Sequence, residues 1–563
     1  MLGRDLRLRV RATGATPIEV PVSRFGGYTV GPVRIDLDQH ADVVHWSVEP
    51  SGPSPATVDA IGLVWDAGPA GDAPRVFVQG YQSWSPTRAM RLGVDADPSR
   101  DPRTLALVRA AFHADPGVAA VGELRSEQVT VLGLAGPHLE SVGFLGGDRH
   151  AGTIRVRIVD GRVEVCAEAW LGGARLPVGS RRALHDVMIE NGDDPADLLE
   201  AWAARAGAAA GARIDAPFVV GWCSWYQYFE HVTERDMRDN LAHADAWPFD
   251  IFQLDDGYQR AIGDWIETNT RFPAGVDGMA AAIRASGRTP GIWLAPFLAA
   301  PDSHLTRAHP EWLASTPNGD GFAIGMYNEP WGGVMAVLDT TRPEVLDHLA
   351  STAAALIAAG YEYLKLDFTF AAAMPGRYAD PTRTPAERVR AGFDAIRRGA
   401  GEHTFIVGCG APIGAVVGAV DAMRIGADVA PWWDAPPGRG ENLPGYEAAT
   451  PSTHNAFVNT CTRSFMHRRL WSNDPDCIML RTVDTELTRP EAEAWARTVG
   501  GSGGLVLASD DLGRLGLREQ RLLEEVVSIG RAADAAARGH GPPRAVGLLD
   551  PDGPRGLAGP LAT

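Results

Sequence analysis

Tyr361-Glu-Tyr-Leu-Lys-Leu-Asp-Phe-Thr-Phe370 is the stretch whose reading decides the fold. It is rich in aromatic and aliphatic residues, as a buried strand requires, and it carries one charged pair, Lys365 and Asp367, near its end. The residues before it, Arg342 to Gly360, read as an amphipathic helix that glycine stops. A helix, a glycine turn and a β-rich run make one unit of an α/β protein. A carboxylate at the carboxyl end of such a strand stands where barrel enzymes do their chemistry. Asp367 is therefore a candidate nucleophile, and the rest of the chain has to supply its partner.

The unit repeats on both sides. Strands are predicted at 218–226, 249–258, 290–297, 361–370, 403–410, 422–428, toward 476 after Arg469, and at 504–510, with helical segments between them. A long Pro- and Gly-rich excursion over 300–341 interrupts the series. Eight strand-then-helix units in about 300 residues predict a (β/α)8 TIM barrel rather than an open doubly wound sheet. Upstream the pattern changes to short alternating runs such as Thr153-Ile-Arg-Val-Arg-Ile-Val159 and Arg162-Val-Glu-Val-Cys-Ala-Glu-Ala-Trp170, which predict an N-terminal antiparallel β-sandwich domain. The expected organisation is a sandwich over 1–190, a linker helix over 191–215, the barrel over 216–538 and a short C-terminal β segment over 539–563. One piece does not read as sandwich: Gln79-Gly-Tyr-Gln-Ser-Trp-Ser-Pro86 is a loop whose aromatics either pack on the next domain or, through Trp84, reach over a ligand.

Composition excludes several functions. A net charge of −18 disfavours nucleic-acid and anionic-membrane partners, which need a basic face. No apolar run approaches the length of a membrane span, and no signal peptide is expected from the amino terminus. The five cysteines are scattered and unsuited to a disulfide framework or a zinc site, so a reducing, cytoplasmic setting is expected. No cofactor is implied.

Acids fall at the carboxyl ends of the predicted strands: Asp255 and Asp256, Asp367, Asp428, Asp474 and Asp476, and Asp510. Barrel closure would bring them to one pocket, where mutual repulsion and desolvation make them costly to keep for stability alone. Aromatics accompany them, among them Trp222, Trp225, Tyr226, Tyr258, Trp293, Trp432 and Trp433. Carboxylates beside aromatic faces suit the hydroxyls and apolar face of a pyranose better than a metal ion, so a sugar ligand is expected and a metal is not. Arg424 and Asp428, four residues apart, would share one face of a strand. Arg424 is then a hydroxyl ligand, and Asp428 must owe any raised pKa to burial and neighbouring acids.

These residues resemble glycoside hydrolase clan D, closest to α-galactosidase family 36, the melibiase-like enzymes. The likeness runs from the Tyr-Gln-Ser-Trp loop at 81–84 to Asn473-Asp-Pro-Asp476. It implies a β-supersandwich ahead of the barrel, with Trp84 leaning on the active site. It implies that Asp367, in Lys-x-Asp, is the nucleophile and Asp428, in Arg-x-x-x-Asp, the acid/base of a retaining exo-α-galactosidase. It also implies sugar contacts for Asp255, Asp256, Lys365, Arg424, Trp293, Trp225, Cys409 and Trp84, with an oligosaccharide or glycoside as substrate. Leu366 and Phe368-Thr369 depart from the family pattern, and the glycine-rich turn after strand five is reduced to Cys409-Gly-Ala-Pro-Ile-Gly414. Galactosyl transfer, another α-glycoside such as an α-N-acetylgalactosaminide, and sugar binding without catalysis remain open at this point, as does assembly into a homo-oligomer.

Overall fold

The computed structural model describes residues 5–436, 443–539, 541 and 543–558. Two antiparallel sheets fill the chain up to Gly192. One sheet runs in spatial order Ile18–Pro21, Arg7–Ala12, Ala56–Pro69, Arg162–Leu176, Ala151–Val159 and Leu124–Glu127. The other includes Val33–His40, Val43–Pro50, Val187–Gly192, Leu139–Phe144, Val129–Gly133 and Arg75–Val78. Alternate residues of each sheet, such as Val33, Ile35 and Leu37 facing Ile61, Leu63 and Trp65, are buried in a shared core, the burial that period-two alternation encodes. The helix Pro195–Ala210 follows, capped by Asp194 and stopped by Gly211 at φ 66°.

Eight parallel strands then form the barrel: β1 Val220–Cys223, β2 Ile251–Leu254, β3 Thr289–Leu294, β4 Tyr363–Leu366, β5 Phe405–Gly408, β6 Ala422–Arg424, β7 Ser472–Asp474 and β8 Val506–Ala508. Ladders join neighbours from β1 through β7, and β8 pairs with β1. The seam between β7 and β8 has no regular ladder; the Leu505 amide donates to Asn473 O at 2.9 Å and the Ile478 amide to Leu507 O at 2.8 Å. The strands are buried on both faces, which explains why they read as continuous apolar runs without alternation. Threonine capping boxes start three of the surrounding helices, at Thr233, Thr384 and Thr488.

Several strands are shorter than the sequence predicts, and the missing residues are those at the barrel mouth. The run 218–226 yields only β1, because Trp225–Tyr228 is a helical turn. β4 stops at Leu366; the Asp367 amide still donates to Leu294 O of β3 at 2.7 Å, and the chain turns outward at Phe368, which takes φ 52°. β6 stops at Arg424, which corrects the expectation that Arg424 and Asp428 share a strand face: Asp428 lies in the following loop. One more amide still bonds across after β6 as well, Ile425 N–H to Asp474 O at 3.0 Å, and beyond it the chain turns away from the ladder. The excursion 300–341 is not structureless either. Leu298–Ala299, Gly333–Val337 and Ile324–Asn328 form a small antiparallel sheet beside β3. At the carboxyl end, Arg544–Ala545 pairs with Leu557–Ala558.

Candidate active site

The carboxyl ends of β2 to β7 converge on a buried group of charges. Lys365, inside β4, places its ammonium 3.0 Å from Asp255 and 3.8 Å from Asp367. Burial opposes its charge, but the two carboxylates outweigh burial and hold its pKa well above the usual lysine value. Lys365 is thus the shared counterion of an acid after β2 and an acid after β4. Asp255 also accepts from Gln253 Nε2, and Asp255 N–H donates to Ser224 Oγ at 2.9 Å, which ties its position to β1 and β2.

Asp367 is held by two donors of fixed geometry. Trp293 Nε1, from β3, donates to Oδ2 at 2.9 Å, and the Phe368 amide donates to Oδ1 at 2.8 Å. Both bonds orient the carboxyl. Asp256 accepts from Gln259 Nε2 at 2.6 Å and from Trp331 Nε1 at 2.8 Å. Burial pushes its pKa up to about 6, with Asp255 and Asp367 adding to the rise against these two hydrogen bonds.

Across the mouth, Arg424 is fully buried and meets three acids: Nη1 lies 2.9 Å from Asp428, Nη2 2.9 Å from Asp476 and Nε 3.3 Å from Asp474. The sequence casts Arg424 as a hydroxyl ligand; the structure makes it the counterion of this acid group. A buried guanidinium requires such neutralisation, and three of its five N–H donors serve it. Asp476 accepts as well from the Tyr226 hydroxyl, from the Val429 amide at 3.0 Å and from the Cys477 amide at 2.7 Å. Asp428 differs from its neighbours in being a third exposed, opening on the mouth. Burial within the mouth raises its pKa to about 7; Arg424 opposes the rise, while Asp476 and Asp367 add to it.

The other residues singled out from sequence take different places. Cys409 follows β5 directly; burial pushes its thiol well up, with Asp367 adding. Trp84 reaches the site from the sandwich: its ring meets Phe368 edge-on at 4.9 Å and Phe370 at 6.1 Å. Gly410, at φ 54°, lets it approach, since a Cβ there would stand 3.0 Å from the indole. Trp225 sits in the turn after β1 with its ring edge-on to Phe229 at 5.3 Å, and no hydrogen bond among the described residues joins it to the acids. Sequence reasoning grouped Asp474, Asp476 and Tyr226 with the barrel mouth without giving any of them an individual role, and it did not name Trp331. Asp476 was legible as a strand-end acid, but Trp331 comes from the excursion, where nothing in its local pattern points to a site.

Among the described residues no group of three His, Cys, Asp or Glu side chains could hold a metal ion. A large open cavity of about 690 Å³ lies at the opposite, amino-terminal end of the barrel, beside Arg213, Asp250, Thr289, Glu362 and Glu402. Its arginine is already neutralised by Asp421 and Glu402. Chemistry therefore places the site at the acid-lined mouth, whatever the relative volumes. Among the described residues no helix is long and apolar enough to cross a membrane.

Comparison with known proteins gives the same picture. The Melibiase family profile matches residues 216–389, the span from β1 through β4 and into the helix after it. "Alpha-galactosidase AgaA" of Geobacillus stearothermophilus is 32% identical over 149 residues, 25% of this chain and 19% of that protein. "Alpha-galactosidase" of Escherichia coli is 30% identical over 129 residues, 22% of this chain and 17% of that protein. These alignments span about a fifth of the curated relatives' own length. The structural likeness is far more extensive. TtGalA, an α-galactosidase from Thermus thermophilus solved with p-nitrophenyl α-D-galactopyranoside, superposes with a TM-score of 0.69 at 26% identity, covering 93% of this chain and 94% of that one. The family 36 enzyme AgaA shares the fold at 14% identity, with a TM-score of 0.61 over 96% of this chain and 75% of that one. The chain is thus similar to the melibiase-like glycoside hydrolases of family 36, through the Melibiase match over 216–389 and through a fold shared along nearly its whole length.

Proposed function

We propose that this protein is a retaining exo-α-galactosidase acting on terminal α-galactosides of oligosaccharides. The observation that carries the reading is the different setting of two acids at one mouth. Asp367 is oriented by two donors of fixed geometry, while the pKa of Asp428 is pushed up to about 7. An oriented carboxyl across from one with a raised pKa is the arrangement that nucleophile and acid/base chemistry needs. The likeness to TtGalA, whose structures hold p-nitrophenyl α-D-galactopyranoside and stachyose, supports galactose as the sugar.

In this mechanism Asp367 attacks the anomeric carbon while protonated Asp428 gives its proton to the leaving oxygen. The glycosidic bond breaks and a galactosyl ester to Asp367 forms. The Asp428 carboxylate then takes a proton from water, which attacks the same carbon and breaks the ester. Two inversions leave the α-configuration. Asp255 and Asp256 are assigned to the sugar hydroxyls. Lys365 stands as counterion between Asp255 and Asp367, and Arg424 keeps the acids around Asp428 from repelling one another out of place. Trp293 orients the nucleophile, and Trp84 and Cys409 wall the pocket. The five free, buried cysteines support a cytoplasmic location.

The test is the first product. Proton NMR during hydrolysis of p-nitrophenyl α-galactoside should show α-galactose appearing before the β-anomer. Asp367→Ala should lose turnover by orders of magnitude and recover part of it with azide, forming β-galactosyl azide. β-Galactose as the initial product, or near-normal turnover by the variant, would refute the assignment.

A further inference from the structure

Arg463 is a buried cation that the mechanism above does not use. It follows the helix Thr453–Thr462 and is fully buried, yet no carboxylate pairs with it among the described residues. Its donors go to main-chain carbonyls. Nη1 donates to Ser83 O and, at 2.8 Å, to Ile425 O; Nη2 donates to Ser85 O at 2.9 Å, Gln82 O at 3.2 Å and Gly80 O at 3.4 Å. Four of the five acceptors belong to one loop of the sandwich, and the fifth is the residue after Arg424. Burial draws the guanidinium down to about 9, so it is still charged at neutral pH.

Such an arrangement is costly. A desolvated cation without a counterion gains nothing from ion pairing. Three buried nitrogens here, Gln82 Nε2, Trp84 Nε1 and Arg463 Nε, find no acceptor, which adds to the cost. Ion pairs elsewhere already join sandwich and linker to barrel, including Arg182 to Glu387 at 2.8 Å and Glu200 to Arg469 at 2.8 Å. A buried cation with no counterion, satisfied by carbonyls of which four of five lie in one loop, marks a feature kept for geometry. The geometry in question is the position of Trp84, which the same loop presses against Phe368, the residue after Asp367.

We propose that Arg463 is a positioning residue: it locks the Gly80–Ser85 loop to the barrel and so holds Trp84 against the turn that carries Asp367. The consequence for catalysis rests on the α-galactosidase reading; the lock itself does not. Arginine is suited to the task because its planar fork reaches several carbonyls in one plane, which a lysine ammonium cannot do.

The experiment uses the full chain with Arg463→Lys, Trp84→Ala and the double variant. Hydrogen exchange followed by mass spectrometry should show the peptide spanning Gln79–Ser85 exchanging about tenfold faster or more in Arg463→Lys, with the β4 peptide unchanged. On p-nitrophenyl α-galactoside, kcat/KM should fall about tenfold or more, and Arg463→Lys should add little when Trp84 is already alanine. Unaltered exchange in the loop would overturn the lock. Faster exchange throughout the barrel, or failure of Arg463→Lys to fold, would overturn it too, since the arginine would then serve the fold as a whole. An equal kinetic loss with and without Trp84 would overturn the link to that ring. If the unaltered protein hydrolyses no α-galactoside, the reaction assignment fails while the exchange data still decide the lock.

Discussion

Replacing Asp476 by asparagine isolates the electrostatics of the acid/base. Asp476 and Asp428 accept from the two terminal nitrogens of one guanidinium. Four donors converge on Asp476: Arg424, the Tyr226 hydroxyl, and the amides of Val429 and Cys477. Burial raises the pKa of Asp476, with Asp474 adding, while Arg424, Lys365 and the Tyr226 hydroxyl oppose the rise; where Asp476 is ionised, Asp476→Asn removes a negative charge beside Asp428. Two carboxylates bridged by one guanidinium stand roughly 5 Å apart, and at an effective dielectric of about 20 they repel by about 3 kcal/mol. At about 1.4 kcal/mol per pH unit this is up to about 2 units in the pKa of Asp428, with relaxation and water reducing it toward about 1. The sign follows directly: removing a negative neighbour makes the Asp428 anion easier to form, so its pKa falls from about 7. Asp428 must be protonated to act as acid, so activity is lost above that pKa. The alkaline limb of kcat/KM against pH, which reports the free enzyme, should therefore move acidward by about 1 to 2 units. The two acids share Arg424, so the limb belongs to the pair jointly. The assay is hydrolysis of a methyl or disaccharide α-galactoside between pH 4 and 9; a p-nitrophenyl substrate, whose leaving group needs little protonation, should show a smaller change. An alkaline limb that stays in place, or moves to higher pH, would refute the argument.

Other perturbations probe different parts of the site. Asp428→Asn should gain stability relative to the unaltered protein as pH rises from about 4 to about 7 and level off above that, measured as the difference in Tm. Between the ordinary value of 3.8 and the folded value of about 7 the unfolded chain ionises while the folded one stays protonated, so the parent loses stability through that window and asparagine does not. Lys365→Met leaves Asp255 and Asp367 buried without their cation; kcat should fall by at least about 100-fold and stability by about 3 kcal/mol, followed by steady-state kinetics and urea unfolding. Gly410→Ala forces a side chain into a left-handed position, against the Phe368 amide and Trp84, both 3.0 Å from the new Cβ. It should lower kcat/KM more than stability, because the displaced atoms border the nucleophile. Trp331→Phe keeps the ring but removes the donor to Asp256, and should raise KM by about tenfold with kcat little changed.

The fold was legible because its units are local. Each of Thr233, Thr384 and Thr488 announces a helix by its own cap, and eight apolar runs spaced by helices admit few closed topologies. Strand ends were less legible, since β1, β4 and β6 stop where the mouth requires the chain to turn. No local propensity distinguishes Leu366 from Asp367 as the last ladder residue. The acids at those ends could be read as a group, and Lys-x-Asp with Arg-x-x-x-Asp located the chemistry. The partners of Arg424 could not be read, because Asp474 and Asp476 reach it only once β6 and β7 are adjacent.

By itself, then, the sequence determined the barrel, the sandwich ahead of it and the acids at the strand ends, because periodicity, caps and composition act within a few residues. Only the tertiary structure decided which charge neutralises which, that Trp331 and Trp84 close on the site from an excursion and a separate sheet, and that Arg463 spends its donors on the loop at 80–85. Those outcomes depend on desolvation and pairing between residues up to hundreds of positions apart, energies that exist only after the chain has closed around them.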